Sequence, residues 1–345
     1  MTQDPRGAAL GGADVAVVPG GGTGYPFVGI PSFLHAPICT DLKKLDADIA
    51  VLGAPTDEGS PYLPGSRFGP RSIREHSLRF FDDGYYDPEA KREFLQYELT
   101  HHRIADVGDA GVLPTNAELT FQNITELTAA VLERGALPIV LGGDHAISYP
   151  VARAFKEPFH VVHFDAHIDY LPFMHGFRFT NAHAFRQIRH LSTVQTMSQV
   201  GIRSLRHRKS WVDDSVNDGN RVVTMEEFHD LKPSGIVEAL PRDARCYVSI
   251  DIDVLDLPLV PGCVSAEPNG MSYKELRDTL FALAEHTEII GFDLVEVNPQ
   301  LDVGTGITSY MAAHTVLEFL SRICDQPRWA KRPDKSGKSA TTDGP

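Results

Sequence analysis

The chain has 345 residues, 42% of them hydrophobic, with 46 acidic against 32 basic side chains and a formal charge of -14. That balance excludes an electrostatic nucleic-acid groove, which needs clustered Lys and Arg, and suits a small cationic substrate drawn in by a negative field. No apolar run reaches the roughly 18 residues of a membrane helix, and the Gly-rich start lacks the basic and apolar regions of a signal peptide.

Residues 1–28 read as a flexible leader. Beyond it, short β-branched runs alternate with helical patterns, the mark of a largely parallel α/β sheet. The first strand predicted is 48–53 (DIAVLG), followed by a helix over 117–134 and a strand at 137–141 (LPIVL). A helix over 147–155 precedes a strand at 160–164 (HVVHF), and the next clear strand is 246–250 (CYVSI). Ser272 stands as the N-cap of a helix over 272–285, with Glu275 three residues later completing a capping box. A strand at 288–294 and a helix over 309–324 follow. With no internal repeat or linker, 29–325 reads as one domain, and the polar, basic tail 326–345 as disordered. The four cysteines, Cys39, Cys246, Cys263 and Cys324, show no CxxC spacing, so they read as free thiols of a reducing, cytoplasmic compartment.

Several strands are apolar nearly throughout, as strands covered on both faces are. Ligands of such sheets bind beyond the carboxyl ends of the strands, and three of those ends carry acids and histidines. HVVHF continues as Asp165-Ala166-His167-Ile168-Asp169, and an extended backbone would put Asp165, His167 and Asp169 on one face. CYVSI continues as Asp251-Ile252-Asp253, and LPIVL runs through Gly142-Gly143-Asp144 to His145. Four aspartates and two imidazoles form a set larger and richer in oxygen than one tetrahedral zinc needs. They suit two divalent first-row ions, manganese or nickel, that share a water of lowered pKa. His163 lies inside its strand and reads as a packed, hydrogen-bonded residue.

LGGDHAIS (141–148), HFDAHIDY (163–170), SIDIDVLDLPLVPG (249–262) and DLVEVNP (293–299), in this order, resemble the arginase/agmatinase ureohydrolases. VLGAPTDEGSPYLPGSRFGPRSIREHS resembles the agmatinase-like branch. The resemblance implies a three-layer αβα fold and two metal ions per chain, Mn2+ as the family's usual ion and Ni2+ as the alternative. His145, Asp165, Asp169 and Asp251 would hold one ion. His167, Asp165, Asp251 and Asp253 would hold the other, with Asp165 and Asp251 bridging. Glu296 matches the carboxylate that binds the guanidinium. His183 matches the loop histidine of proton transfer, and Asp169 would carry a proton to the leaving amine. Asn181 stands two residues before His183 as in arginases. The resemblance also implies an oligomer, a homotrimer or homohexamer, or a hetero-oligomer with a paralogue.

Two stretches depart from the family pattern. Leu257 stands where Pro is usual, and the stretch resembling PGTGTPE reads PGCVSAE, with Val264 for a glycine and Ser265 keeping a hydroxyl. That loop borders the substrate in relatives. Pro172 and Phe179 replace polar residues near Asn181, which disfavours arginine as substrate. The expected reaction is hydrolysis of agmatine, guanidinobutyrate or guanidinopropionate to urea and an amine. The alternatives are a nickel hydrolase of guanidine or a substituted biguanide and, further off, a one-zinc deacetylase of the same fold.

Overall fold

The computed structural model describes residues 25–173 and 176–330. Its strands, in chain order, are β1 (Ile49–Ala54), β2 (Tyr85–Asp87), β3 (Arg92–Phe94), β4 (Ile104–Asp109), β5 (Leu137–Gly142), β6 (Phe159–Phe164), β7 (Val194–Ile202), β8 (Arg221–Thr224), β9 (Arg245–Asp251) and β10 (Glu288–Val295). Strands β2 and β3 form a small antiparallel hairpin. The other eight make one sheet in the order β4-β1-β5-β10-β9-β6-β7-β8, parallel at every pairing.

Alternation along the strands feeds two separate cores. Ile49, Val51, Ile139, Leu141, Val248 and Ile250 pack into one apolar cluster. Their neighbours Ala50, Leu52, Val140 and Tyr247 pack into the other. Gly69–Ser77, Tyr273–His286 and Ile307–Cys324 cover the first face, while Ala117–Glu133 and Ala184–Arg189 cover the second. This is the three-layer αβα arrangement, with a buried sheet between helices as parallel sheets require.

The predicted apolar strands and the long helices are present to within a residue or two at their ends. Ser272 caps Tyr273–His286, and Glu275 returns the capping contact. Two expectations need correction. The helix predicted over 147–155 is shorter: a 3-10 turn at His145–Ile147 leads into Ser148–Ala152, because Asp144 caps the turn by accepting from Ala146 N. The tail predicted to be disordered from Gln326 begins as a short helix, Pro327–Ala330, with Trp329 against the core. The remainder of that tail and leader residues 1–24 lie outside the described residues. Strands β2, β3, β4, β7 and β8 were not expected from the sequence; β7 (VQTMSQVGI) carries polar residues that break the apolar pattern. Among the described residues no helix is long and apolar enough to cross a membrane.

Candidate metal centre

Strands β5, β10, β9 and β6 are adjacent and parallel, so their carboxyl ends open on one rim. After β5 the chain passes hard against the end of β1. A Cβ on Gly143 would lie 1.8 Å from the Thr56 carbonyl oxygen, so only glycine permits the crossing. Asp144 then anchors the turn, accepting from Gly59 N at 2.7 Å and Ala146 N at 3.0 Å. The result is a fully buried His145 aimed at the rim.

The His145 ring is held from behind. Ser249 donates to Asp293 Oδ1 at 2.6 Å, so its oxygen accepts from His145 Nε2 at 2.9 Å. With Nε2 donating to Ser249, Nδ1 is the atom the ring can offer to a cation. It faces Asp165 Oδ2 at 3.0 Å, Asp251 Oδ2 at 3.1 Å and Asp169 Oδ2 at 3.4 Å, and without a cation those carboxylates hold the ring's pKa well above its ordinary value. His167 Nδ1 sits in the same way, 3.2 Å from Asp165 Oδ1 and 3.1 Å from Asp253 Oδ2. All six predicted ligand residues therefore meet, and Asp165 faces both imidazoles.

They meet by a different route from the one expected. The chain does not stay extended: β6 ends at Phe164, and Asp169 has the left-handed φ of 45°. Asp251 and Asp253 flank the start of a 3-10 turn, Ile252–Val254, with Asp253 N donating to Asp251 Oδ1 at 2.9 Å. Tight turns bring these carboxylates together, since strand pleating would have carried the later ones away from the rim.

Burial pushes the Asp169 and Asp251 carboxyls well above their ordinary range, and neighbouring aspartates push in the same direction. Asp253 is raised for the same two reasons. A cluster whose members drive one another towards neutrality is one that cations would stabilise. The donors fit such ions. His145 Nδ1 and Asp253 Oδ2 are buried with no hydrogen-bond partner, a costly state unless a ligand takes them. Donor separations near 3 Å are those of adjacent ligands about 2.1 Å from a shared octahedral ion. His163, as expected, is packed and hydrogen-bonded: it contacts Asp165 Oδ2 at 2.7 Å and stacks on Phe185, and burial pulls it down to about 4.

Glu296 follows β10 with a left-handed φ of 65°. Its N–H donates to the Gly143 carbonyl, and its Oε1 accepts from His145 N at 2.9 Å and Asn181 Nδ2 at 3.4 Å. Burial raises its carboxyl to about 7. Asp169, Asn181, Ser265 and Glu296 all line a cavity of ≈ 170 Å³ above the aspartates. His183 does not line it. That ring lies behind the wall, with Nδ1 2.5 Å from Thr180 Oγ1 and Nε2 3.2 Å from the Pro172 carbonyl.

The sequence reading overlooked Ser249 and three wall residues, Arg206, His207 and Trp211. All three wall residues come from RSLRHRKSW, which directly follows β7. A basic stretch at a strand end in an acidic chain was the available signal. His207 Nε2 accepts from Ile168 N at 3.0 Å, and burial, then the nearby His167, pulls it down to about 4.

The sequence profile of the arginase family matches residues 47–321, spanning every element that carries this centre. The chain belongs to the arginase family. Proclavaminate amidinohydrolase of Streptomyces clavuligerus is 32% identical over 299 residues, covering 84% of this chain and 92% of that protein. Guanidinopropionase of Pseudomonas aeruginosa is 33% identical over 317 residues, 87% of this chain and 93% of that one. The solved structure of the Streptomyces enzyme superposes with a TM-score of 0.75 at 30% identity, over 86% of this chain and 98% of its own. This arginase-family chain is therefore an enzyme acting on the C–N bonds of amidines.

Proposed function

We propose that this arginase-family enzyme hydrolyses a small guanidino compound to urea, or a urea-like product, and an amine. The supporting observation is the pair of partnerless buried atoms, His145 Nδ1 and Asp253 Oδ2, within a ring of aspartates beneath a Glu296-lined cavity. His145, Asp165, Asp169 and Asp251 would hold one divalent ion, and His167, Asp165, Asp251 and Asp253 the second. Manganese is the expected metal, with nickel as the alternative. When bound, such a pair of divalent ions would supply the nucleophile by lowering the pKa of a coordinated water.

The chain's own residues then divide the work. Glu296 receives the guanidinium in a charge-assisted contact while its Oε1 is fixed by His145 N. Asn181, beside Glu296, holds the same end of the substrate, and Ser265 borders it from the opposite loop. Asp169, at the meeting point of centre and cavity, transfers a proton to the departing nitrogen. His183 relays protons outward, which requires its Nε2 to leave the Pro172 carbonyl. The overall reaction consumes one water, breaks one C–N bond and leaves the proton on the amine.

The test is urea release from agmatine, guanidinobutyrate, guanidinopropionate, arginine, guanidine and a dimethylbiguanide, with protein loaded with Mn2+ or Ni2+ and its metal content measured in parallel. Urea from one of these with two ions per chain supports the reading. Two bound ions without turnover of any of them would count against it, and one tightly bound zinc with amide cleavage would replace it by the deacetylase.

A further inference from the structure

Outside the metal centre, one charged wall residue of the cavity, Arg206, has no task in the chemistry just described. Arg206 borders the ≈ 170 Å³ cavity and also the adjoining groove of ≈ 820 Å³, so its guanidinium stands at the junction between them. Its side chain is 60% exposed. Glu267 Oε1 accepts from its Nε at 3.1 Å, and the Ser265 carbonyl accepts from its Nη2 at 3.1 Å. The Glu267 and Ser265 contacts fix the plane of the guanidinium, and among the described residues Nη1 makes no hydrogen bond. His167 Nε2, 2.6 Å from Nη2, would carry a proton once Nδ1 holds a metal and would then turn to Glu267 Oε1, 3.5 Å away, leaving Nη2 to Ser265.

Charge decides what that free edge receives. Apart from His167 of the metal centre and the half-buried His207, whose Nε2 is taken up by Ile168 N, Arg206 is the one basic side chain on the cavity wall among the described residues. The acids of that wall, Asp169, Asp251, Asp253 and Glu296, all belong to the reacting end. At the junction Glu267 is already engaged by Arg206 and by Ser204 Oγ at 2.7 Å. Glu226 lies along the groove, away from the cavity. A substrate with an ammonium at its far end would meet a guanidinium there. One ending in a carboxylate would meet a planar donor that matches its geometry.

We propose that Arg206 reads the far end of the substrate and that the preferred class is ω-guanidino carboxylates, whose hydrolysis gives urea and an amino acid. This rests on the guanidino-hydrolase reading above. Arg206 acts on binding alone and takes no part in breaking the C–N bond.

The experiment compares kcat and KM of the metal-loaded enzyme for 3-guanidinopropionate, 4-guanidinobutyrate and agmatine, in the wild type, Arg206→Ala and Arg206→Glu. Metal content is measured on each preparation. The expected result is a wild-type preference for an acid. KM for that acid should rise about 10- to 100-fold in Arg206→Ala, the loss of one charge-assisted contact, with two ions retained. Arg206→Glu should narrow or invert the preference against agmatine. A wild type that prefers agmatine overturns the inference and leaves the hydrolase reading standing. Equal losses on acid and agmatine in Arg206→Ala overturn it too, since a merely structural role would do the same. If the wild type releases urea from no guanidino compound, the hydrolase reading itself fails and the inference goes with it.

Discussion

The backbone N–H of His145 donates to Glu296 Oε1 at 2.9 Å, while the N–H of Glu296 donates to the Gly143 carbonyl at 2.8 Å. This exchange ties the end of β5 to the end of β10 and holds a buried carboxylate beside the histidine that faces the aspartates. Glu296 keeps the left-handed φ of 65° because both its ends are fastened.

Glu296→Gln tests whether the carboxylate binds substrate by its charge. The amide oxygen can still accept from His145 N, so fold and metal content should hold. KM for the preferred guanidino substrate should rise about 10- to 100-fold. An unchanged KM with two ions bound would remove Glu296 from substrate binding.

Ser249→Ala should weaken metal binding while leaving the six proposed ligands in place. Ser249 orients the His145 ring by accepting from Nε2 while its hydroxyl donates to Asp293 Oδ1. Loss of such a partner costs about 10- to 100-fold in metal affinity. Titration calorimetry with Mn2+ on the stripped protein reads this directly. Wild-type affinity would mean that packing by His163 and Phe185 suffices to hold the ring.

Stripping the metal should lower the melting temperature, and adding Mn2+ should restore it in a concentration-dependent way. Mutually repelling buried aspartates destabilise the apo fold, and ligand excess adds about 2.7 kcal/mol at one hundred times Kd. A melting temperature indifferent to metal would argue against ions bound among these carboxylates.

Gly143→Ala should be among the most damaging conservative changes in the chain. The added Cβ would fall 1.8 Å from the Thr56 carbonyl oxygen, a backbone atom that cannot swing away. Either β1 and β5 part or the His145 turn shifts, so a loss of about 3 kcal/mol or more in stability, or loss of metal binding, is expected. Circular dichroism melts and metal content read the two routes, and a variant normal in both would contradict the close packing.

Asp57 gives a pH prediction away from the metal. Burial acts to raise its carboxyl, but the Arg67 hydrogen bond and the Gly65 and Arg67 backbone N–H groups outweigh that and hold it below its ordinary 3.8. A depressed folded pKa means stabilisation that is present above the unfolded value and lost as pH falls through the folded one. The stability gap between wild type and Asp57→Asn should therefore be constant above about pH 5 and close below about pH 4. A gap that stays open in acid would mean that Asp57 is held by shape instead of charge.

The sequence by itself determined the fold class, because apolar runs of strand length, separated by capped amphipathic helices, have few other ways to bury themselves. It also singled out the six residues that the fold brings together, since aspartates and histidines crowded at strand ends repel one another unless a cation gathers them. Residues 163–170 alone carried much of that signal. What the sequence did not decide was how those residues reach each other. The left-handed turn at Asp169 and the 3-10 turn after Asp251 depend on contacts made across the sheet, and the strand alternation that seemed to explain the spacing does not operate there. Position behind or on the cavity wall was likewise decided only by the tertiary structure. His183 belongs to a motif yet points its ring at Thr180 and Pro172, whereas Arg206 and Ser249, which belong to no catalytic pattern, stand on the cavity wall and behind His145. Side-chain direction is set by packing between segments distant in sequence, and no local spacing encodes it.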